Sequence, residues 1–387
     1  MTDAREAAFP LSRNQLTARA PRGSLVEVTR RIGGLHAQVM SSADLSLWTR
    51  IRGHRRDDLP RALWQHKTLV KTWLMRGTLH LVPAEDLPVY CSALDARGHY
   101  AGAWLRYFEV TARDMERLIE VIGESLHEPR TRQELGAAVK ARLGASMAKN
   151  LESGWGSFLK PAARRGMLCF GPSQGQSVTF VRPDAWLGNW REVSQEEAQA
   201  ELLRRFLAAY GPASRDEFTE WAGGGHARGL RQAWKLIEDE LAEVEPKRFL
   251  LAHDVAAFER ARPSRAVRLL PAFDPFLLPR QTRRYLVRSD EEYDRIYRPQ
   301  GWITPVVLRG GRAVALWAWK RRGAKLEVTV EPLEQLDGAV EREAAALARY
   351  LGAELELKMR SRPRHPPYAG RSASGRARRR GRSWSIR

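Results

Sequence analysis

The chain has 387 residues, of which 65 are Lys or Arg and 45 are Asp or Glu, so its formal net charge is +20. A 43% hydrophobic content with 13 Trp is ample for packed cores in several domains, whereas no apolar run approaches the ~20 residues of a membrane helix and the N-terminus lacks the apolar core of a secretion signal. The two cysteines, Cys91 and Cys169, have neither the number nor the spacing of a disulfide framework or a zinc site, so we expect a cytoplasmic protein that needs no metal and no other cofactor.

Much of the positive charge lies at the C-terminus. Residues 360–387 contain ten arginines and no acidic residue, which leaves a net charge of +10 on residues 1–359. We predict that residues 359–387 form a basic disordered tail, either a non-specific phosphate-binding arm or a dispensable terminus. The overall excess favours a polyanionic partner such as DNA. Arginine-rich codon usage in a GC-rich genome would produce the same composition without such a partner.

Helical and strand patterns repeat along the chain with a period of about 80 residues. After a short disordered lead at residues 1–11, three helices followed by a β-hairpin are predicted within residues 12–105, again within residues 106–192, and less clearly within residues 193–262. Thr131 and Ser214, each followed three residues later by Glu, have the spacing of a capping box that begins a second helix, and residues 230–237 are the predicted third helix of the last unit. Each unit has the order of a winged helix-turn-helix domain, whose third helix reads a DNA groove. Ordinary α+β cores without DNA contact would show the same order, but three copies on a basic chain favour DNA binding.

Beyond the third unit the pattern changes to strands. Residues 263–358 contain four β-prone runs, turns at Gly310-Gly311 and Arg322-Gly323, and one helix at residues 336–350. This pattern predicts a small β-barrel or a curled sheet closed by one helix. The predicted fold class is therefore α+β, with three tandem winged helix-turn-helix domains followed by a small C-terminal β-barrel.

Within the first unit, one helix has a clear beginning and end. Ser24 and Glu27 have the spacing of a capping box, which begins a helix. Gly33 and Gly34 end it, because glycine adopts the left-handed conformation of a helix C-terminus without a Cβ clash. The residues that follow are therefore predicted to leave the helix.

Residues 35–39 alternate between apolar and polar side chains, which is typical of an extended segment. In an extended segment His36 and Gln38 project from the same face and can act on one ligand. In a continuing helix the two side chains would lie about 200° apart around the axis and could not. The functional interpretation thus depends on the helix ending at the glycines.

The order of several phrases resembles one family, the winged-helix DNA glycosylases of the AlkZ type, which carry a Gln-apolar-Gln motif followed by an apolar stretch ending Leu-Trp-x-Arg. This chain has Leu35-His36-Ala37-Gln38 and then Leu47-Trp48-Thr49-Arg50, with His at the place of the first Gln. Three further phrases are similar to the family and extend the resemblance over about residues 10 to 358: residues 72–83, residues 169–180 and residues 270–275.

The resemblance implies a monofunctional DNA glycosylase that hydrolyses the N-glycosidic bond of alkylated purines and unhooks interstrand crosslinks. Its partner would be double-stranded DNA carrying these lesions, bound by a monomer in the cytoplasm and associated with the nucleoid, with no membrane involved. The alternative is a non-enzymatic winged-helix DNA-binding regulator, which we would expect to dimerise on a palindromic site. Tandem units in one chain supply several contacts without a dimer, so the enzyme is favoured.

Alkylation at a purine ring nitrogen makes the leaving base cationic, so amide and imidazole groups suffice where a carboxylate base would otherwise be needed. Gln38 can orient a water through its amide. Neutral His36, with an ordinary pKa of about 6.5, can act as the general base for that water. Activity should therefore fall as the pH drops through that pKa. A buried histidine satisfied by a backbone carbonyl is the alternative for His36. No lysine stands in a frame that suggests lyase chemistry.

The candidate site residues thus fall into three groups. The catalytic candidates are His36 and Gln38. Asp274 is a further candidate, although a turn or helix-cap role fits it better. The candidate DNA-binding residues lie on the first predicted wing and before the second: Arg76, Thr78, His80, Arg164 and Arg165.

Overall fold

The structure is a computed structural model that describes residues 4–95, 100–151, 156–188, 190–223 and 229–360. It confirms the α+β class, since helices alternate with antiparallel hairpins and a larger sheet follows. The predicted basic tail lies outside the described residues except for its first two, of which Met359 ends a strand and Arg360 donates a backbone hydrogen bond to Val330. Within the described ranges, every helix is too short or too polar to span a bilayer.

The predicted disordered lead at residues 1–11 is wrong from Ala4 onward. Residues 4–13 form a helix that buries Phe9 and Leu11, each 2% exposed. Phe9 packs edge-on against Phe258, with 5.8 Å between ring centroids. The helix is therefore stabilised by contacts with residues more than 200 positions away, which local patterns cannot reveal.

The N-terminal region surrounds a three-stranded antiparallel sheet of order β1-β3-β2. The predicted capping box at Ser24 is wrong, because its side chain makes no cap bond and Glu27 pairs instead with Arg30 and Arg31 of the same helix. A short π-helical stretch, Arg61–Gln65, continues α4. The elements are α1 (Ala4–Arg13), α2 (Leu25–Arg31), β1 (Leu35–His36), α3 (Met40–Arg50), α4 (Asp58–Pro60), β2 (Leu69–Trp73), β3 (Leu79–Pro83) and α5 (Leu87–Leu94).

The second region packs its helices on the hairpin of β5 and β6, which β4 extends to a three-stranded sheet. Thr111 and Thr131 each begin a helix with a reciprocal capping box, the second of them as predicted. The elements are α6 (Gly102–Tyr107), α7 (Ala112–Ser125), β4 (Arg130–Thr131), α8 (Arg132–Leu143), α9 (Ala145–Leu151), α10 (Lys160–Arg164), β5 (Cys169–Gln174), β6 (Ser177–Val181) and α11 (Pro183–Leu187).

The third region repeats the order of helices followed by a two-stranded hairpin. Ser214 and Glu217 form the predicted capping box at the start of its second helix. Its predicted third helix, residues 230–237, is present as a 3-10 turn at residues 229–232 that runs into one α-helical turn at residues 233–236. The elements are α12 (Gln195–Tyr210), α13 (Arg215–Ala222), α14 (Ala233–Leu236), β7 (Leu241–Glu245), β8 (Arg248–Leu251) and α15 (Val255–Arg260).

The C-terminal region is an open five-stranded sheet of order β13-β12-β11-β10-β9, so the predicted closed β-barrel is wrong for the described residues. Closure would require β9 to pair with β13, but α18 packs against both of these edge strands instead. Two helices between β9 and β10, and the last strand, which runs parallel to β12, were not expected from the sequence. The elements are β9 (Val267–Leu270), α16 (Arg280–Leu286), α17 (Asp290–Ile296), β10 (Val306–Arg309), β11 (Arg312–Arg322), β12 (Lys325–Pro332), α18 (Ala339–Tyr350) and β13 (Glu354–Met359).

Buried hydrogen bonds join the end of α12 in the third region to the N-terminal region. The Tyr210 hydroxyl donates to the Ile32 carbonyl at 2.7 Å, and the Asn14 amide donates to the Ala209 carbonyl at 2.8 Å. These contacts fix the end of α2, which is the point where the chain turns into the candidate site.

Candidate active site

Two left-handed glycines direct the chain from α2 into β1. Gly33 and Gly34 have φ angles of 69° and 95°, and the Gly34 amide donates to the Thr29 carbonyl at 2.9 Å. A Cβ at Gly34 would lie 3.1 Å from the Val82 side chain and 3.2 Å from the Leu81 carbonyl. The predicted end of the helix is therefore confirmed, and no larger residue fits the second glycine position without displacing β3.

His36 lies at the end of β1, directly opposite His80 of β3, and is 5% exposed. Its ring stacks on Phe273 with 5.0 Å between centroids and an interplanar angle of 25°, while the His80 ring meets it edge-on at 5.6 Å. The buried Nδ1 atom has no hydrogen-bond partner among the described residues. Burial, reinforced by the nearby Arg76 cation, lowers the pKa of His36 to about 3.

The low pKa changes what His36 can do. The sequence predicted an activity that falls as the imidazole is protonated below its ordinary pKa, but a group with a pKa of about 3 is neutral at every pH at which the enzyme would be assayed. A neutral imidazole with an unpartnered nitrogen can accept a proton or a hydrogen bond. The backbone-satisfied alternative for His36 finds no support, since its Nδ1 has no such bond.

Gln38 follows in the exposed bend between β1 and α3. The strand itself contains only residues 35–36, and the Ala37 amide still donates to the Leu79 carbonyl of β3 at 2.7 Å. The alternation predicted for residues 35–39 therefore gives one buried polar residue and one exposed polar residue, not a common strand face. The predicted common extended face of His36 and Gln38 is therefore wrong, because the strand ends at His36 and the chain bends at Gln38.

The tight turn between β2 and β3 places Arg76 and His80 beside His36. Arg76 has a left-handed φ of 55° and donates to the Trp221 carbonyl of α13. It also lies 3.2 Å from His80 Nε2, while His80 Nδ1 donates to the Thr78 carbonyl at 2.9 Å. These two bonds define the neutral tautomer of His80, with the proton on Nδ1 and Nε2 accepting from the guanidinium.

Burial dominates the charge state of this turn. It lowers the pKa of Arg76 to about 10, with the Arg283 cation acting in the same direction. It also lowers the pKa of His80 well below the ordinary range, with Arg76 and His36 adding to the effect. Thr78 contributes a carbonyl to His80 and donates its hydroxyl to the Met75 carbonyl at 3.2 Å. The turn thus presents one cation to two neutral imidazoles.

Arg164 joins this turn, whereas Arg165 does not. A Cβ on Gly77 would lie 3.5 Å from Arg164 Nη2 and 3.7 Å from Lys160 Cδ, so both side chains border the turn. Burial lowers the pKa of Arg164, and its Nε has no partner among the described residues. Arg165 is bound by Glu116 through two nitrogens, one at 2.7 Å, and this carboxylate raises the pKa of Arg165.

Asp274 has the turn role that the sequence favoured. It is fully buried and forms two 2.7 Å bonds to Arg50, which is also fully buried. Its Oδ1 accepts the Phe276 amide at 3.0 Å and so caps the short helix that follows. Because these contacts all lie within the fold, they give Asp274 a structural role that holds the residue next to Phe273.

Sequence reasoning did not single out two residues that contribute to the site. Phe273 stacks on His36, and Trp221 supplies the carbonyl that Arg76 binds. Phe273 lies within a phrase that resembled the family, residues 270–275, so its position carried a signal that we interpreted through Asp274 alone. Trp221 is 145 positions from Arg76 and carried no signal.

The described residues include no group of three or more His, Cys, Asp or Glu side chains arranged to hold a metal ion. The site offers a neutral imidazole, an exposed amide and a turn rich in cations. Such groups can orient a water and stabilise charge without a strongly basic residue. This chemistry suits the hydrolysis of a bond whose leaving group departs easily.

Comparison with known proteins agrees with this chemistry. A family model described as DNA glycosylase AlkZ-like matches residues 29–350. The chain is 34% identical over 343 residues to a Streptomyces sahachiroi protein named interstrand DNA cross-link repair glycosylase, with 85% of this chain and 91% of the relative covered. It is similar to the solved structure of Streptomyces sahachiroi DNA glycosylase AlkZ, with a TM-score of 0.82, 34% identity, and coverage of 92% of this chain and 98% of that one.

The protein is therefore a DNA glycosylase, an enzyme that hydrolyses N-glycosidic bonds in DNA. It belongs to the AlkZ-like family of these enzymes.

Proposed function

We propose that this glycosylase releases alkylated purines from double-stranded DNA and unhooks interstrand crosslinks formed through them, with His36 and Gln38 at the reacting centre. The observation that carries the proposal is the unpartnered Nδ1 of a buried, neutral His36 two residues before an exposed Gln38. A buried nitrogen without a partner is costly in a folded protein, and a bound substrate or water would satisfy it. The relative named for cross-link repair supports the same class of lesion.

In the proposed reaction water adds to the sugar carbon as the bond to the base breaks. Departure of a purine alkylated on a ring nitrogen neutralises the positive charge of that base, so the leaving group needs no proton from the enzyme. Gln38 holds the water through its amide oxygen. His36 accepts the proton that the water loses, or accepts a hydrogen bond from that water while solvent takes the proton. Burial, reinforced by the nearby Arg76 cation, lowers the pKa of His36 and so keeps the imidazole neutral and able to accept.

We further propose that the three regions of helices and hairpins are tandem winged helix-turn-helix domains that bind DNA as a monomer on the nucleoid. Arg76, Arg164 and Lys160 border one turn beside His36, and burial lowers the pKa of each of these cations. A DNA phosphate would compensate this concentration of positive charge. Thr78 and His80 support the turn, and the ion pair of Arg165 with Glu116 gives that arginine a role in the fold.

The test of this function is base release by Gln38→Ala. We expect the variant to lose base release from duplex DNA carrying N7-methylguanine while its affinity for that duplex stays within a few-fold of the wild type, because Gln38 acts on the transition state. Gln335→Ala, which also removes an exposed amide, is the matched control and should retain full activity. A wild type that binds the duplex but releases no base would exclude N7-methylguanine as a substrate, and equal losses of rate and affinity would make Gln38 a binding residue.

A further inference from the structure

A row of three aromatic rings leads from solvent to the candidate active site. Trp302 is 47% exposed and contacts Phe273, with 5.0 Å between ring centroids and an interplanar angle of 79°. Phe273 in turn stacks on His36 at 5.0 Å. Through one intervening ring, the exposed Trp302 is thus connected to the imidazole of the reacting centre.

Backbone geometry, more than burial, sets the positions of the Phe273 and Trp302 rings. Phe273 has a left-handed φ of 58°, which is uncommon for a residue with a Cβ and persists only where the surroundings enforce it. The buried Arg50–Asp274 pair holds the next residue in place. Trp302 follows a short 3-10 turn in which Gln300 also has a positive φ, of 64°. The Trp302 carbonyl accepts the Arg298 amide at 2.9 Å.

This arrangement leaves about half of the Trp302 surface in water, although burying an indole would stabilise the fold. A large apolar ring fixed at the border of an active site is better explained by a ligand than by the core. Indole is also the side chain that best attracts a planar cation, and a purine alkylated on a ring nitrogen is a planar cation.

We propose that Trp302, supported by Phe273, is a stacking site for the planar aromatic surface of the lesion once that surface has left the duplex stack. The proposal rests on the proposed glycosylase function and adds a substrate contact to it. Two parts of a lesion offer this surface, the alkylated base itself and a planar substituent carried by it. An indole that is about half exposed can stack on either, and the adjoining Phe273 would extend the apolar contact towards His36.

The experiment compares two lesions in one duplex sequence: N7-methylguanine, and a guanine whose N7 carries a polycyclic aromatic group. Single-turnover base release and the ratio of affinities for damaged and undamaged duplex are measured for the wild type, Trp302→Ala, Trp302→Leu and Trp302→Phe. Tyr107→Ala is the matched control, since Tyr107 is 80% exposed and belongs to a helix of the second region.

We expect Trp302→Ala and Trp302→Leu to slow base release about 5- to 150-fold, which corresponds to the roughly 1–3 kcal/mol of one base stacked on an aromatic ring. Trp302→Phe should retain most of the activity, and Tyr107→Ala all of it. A loss on both lesions identifies the base as the stacked group, and a loss confined to the aromatic adduct identifies the substituent.

Three results would overturn the stacking site. The first is wild-type rates and affinity ratios for Trp302→Ala on both lesions. The second is full recovery in Trp302→Leu, because leucine keeps apolar contact but has no ring. The third is a fall in rate that matches a fall in melting temperature across all variants. If the wild type released no base, the proposed function would fail, yet the affinity ratio of Trp302→Ala would still test the stacking.

Discussion

Replacing His36 by Gln should remove part of the acid sensitivity of this fold. The pKa of His36 is about 3 in the folded protein against 6.5 for an unperturbed histidine, because burial and the Arg76 cation disfavour the imidazolium. Between these two pKa values the unfolded chain binds a proton at this histidine that the folded chain does not. The contribution of His36 to stability is therefore fully present above about pH 6.5 and is lost as the pH falls towards 3.

The size of the effect follows from the two pKa values. Between pH 8 and pH 5 the unfolded histidine becomes mostly protonated while folded His36 stays neutral, so the free energy of unfolding falls by about 2 kcal/mol. His80 adds its own loss in the same direction, since its pKa is also lowered. In His36→Gln, the change in the free energy of unfolding between pH 8 and pH 5 should therefore be smaller by about 2 kcal/mol, while the part of this change that is due to His80 remains.

Urea unfolding of the wild type and His36→Gln at several pH values between 5 and 8 measures this difference, with base release from N7-methylguanine DNA followed in parallel. Because His36 is already neutral throughout this range, wild-type activity should show no acidic limb due to this residue. His36→Gln, which restores the family motif, should remain active with a similar profile. An acidic limb near pH 6 that disappears in the variant, or identical pH dependences of stability, would refute the assigned protonation state.

Three other perturbations have distinct expected outcomes. Asp274→Asn should lower the free energy of unfolding by about 3–5 kcal/mol, because it leaves the fully buried Arg50 without its counter-charge, and Arg50→Met combined with Asp274→Leu should recover part of that loss in urea unfolding. Arg164→Gln should weaken binding to any DNA sequence and reduce the slope of log affinity against log salt by about one, whereas Arg165→Gln, which breaks an ion pair with a carboxylate, should leave that slope unchanged. Deleting residues 361–387 should lower non-specific affinity and flatten its salt dependence, and a large fall in melting temperature on deletion would contradict the predicted disorder.

Features that depend on a few neighbouring residues were predictable from the sequence. Gly33 and Gly34 end α2 as expected, and the boxes at Thr131 and Ser214 begin helices as expected, because each of these signals acts within one turn. The exception is Ser24, whose box is replaced by pairing of Glu27 with arginines on the same helix. Local signals therefore predicted where elements begin and end more reliably than they predicted which side-chain bonds form.

Features that depend on distant parts of the chain were not predictable. Whether β9 pairs with β13 is decided by residues about 90 positions apart and by a helix between them, so the strand pattern alone could not distinguish an open sheet from a barrel. The stacking of Phe273 on His36 depends on a left-handed backbone that no composition rule indicates. The low pKa of His36 depends on that same burial, which explains why an ordinary titration was expected from sequence.

The Arg76 hydrogen bond to the Trp221 carbonyl has a consequence for dissecting this enzyme. The turn that carries Arg76 is held by a backbone atom of the third region, and the ring that covers His36 comes from the C-terminal region. A fragment that ends before Phe273 lacks at least one of these three parts, so residues 12–105 expressed alone would hold the motif but not its surroundings. An exchange of domains between related enzymes must therefore transfer together the parts of the N-terminal, third and C-terminal regions that contact one another at the site. For the same reason, substitutions that inactivate the enzyme should be spread along most of the chain.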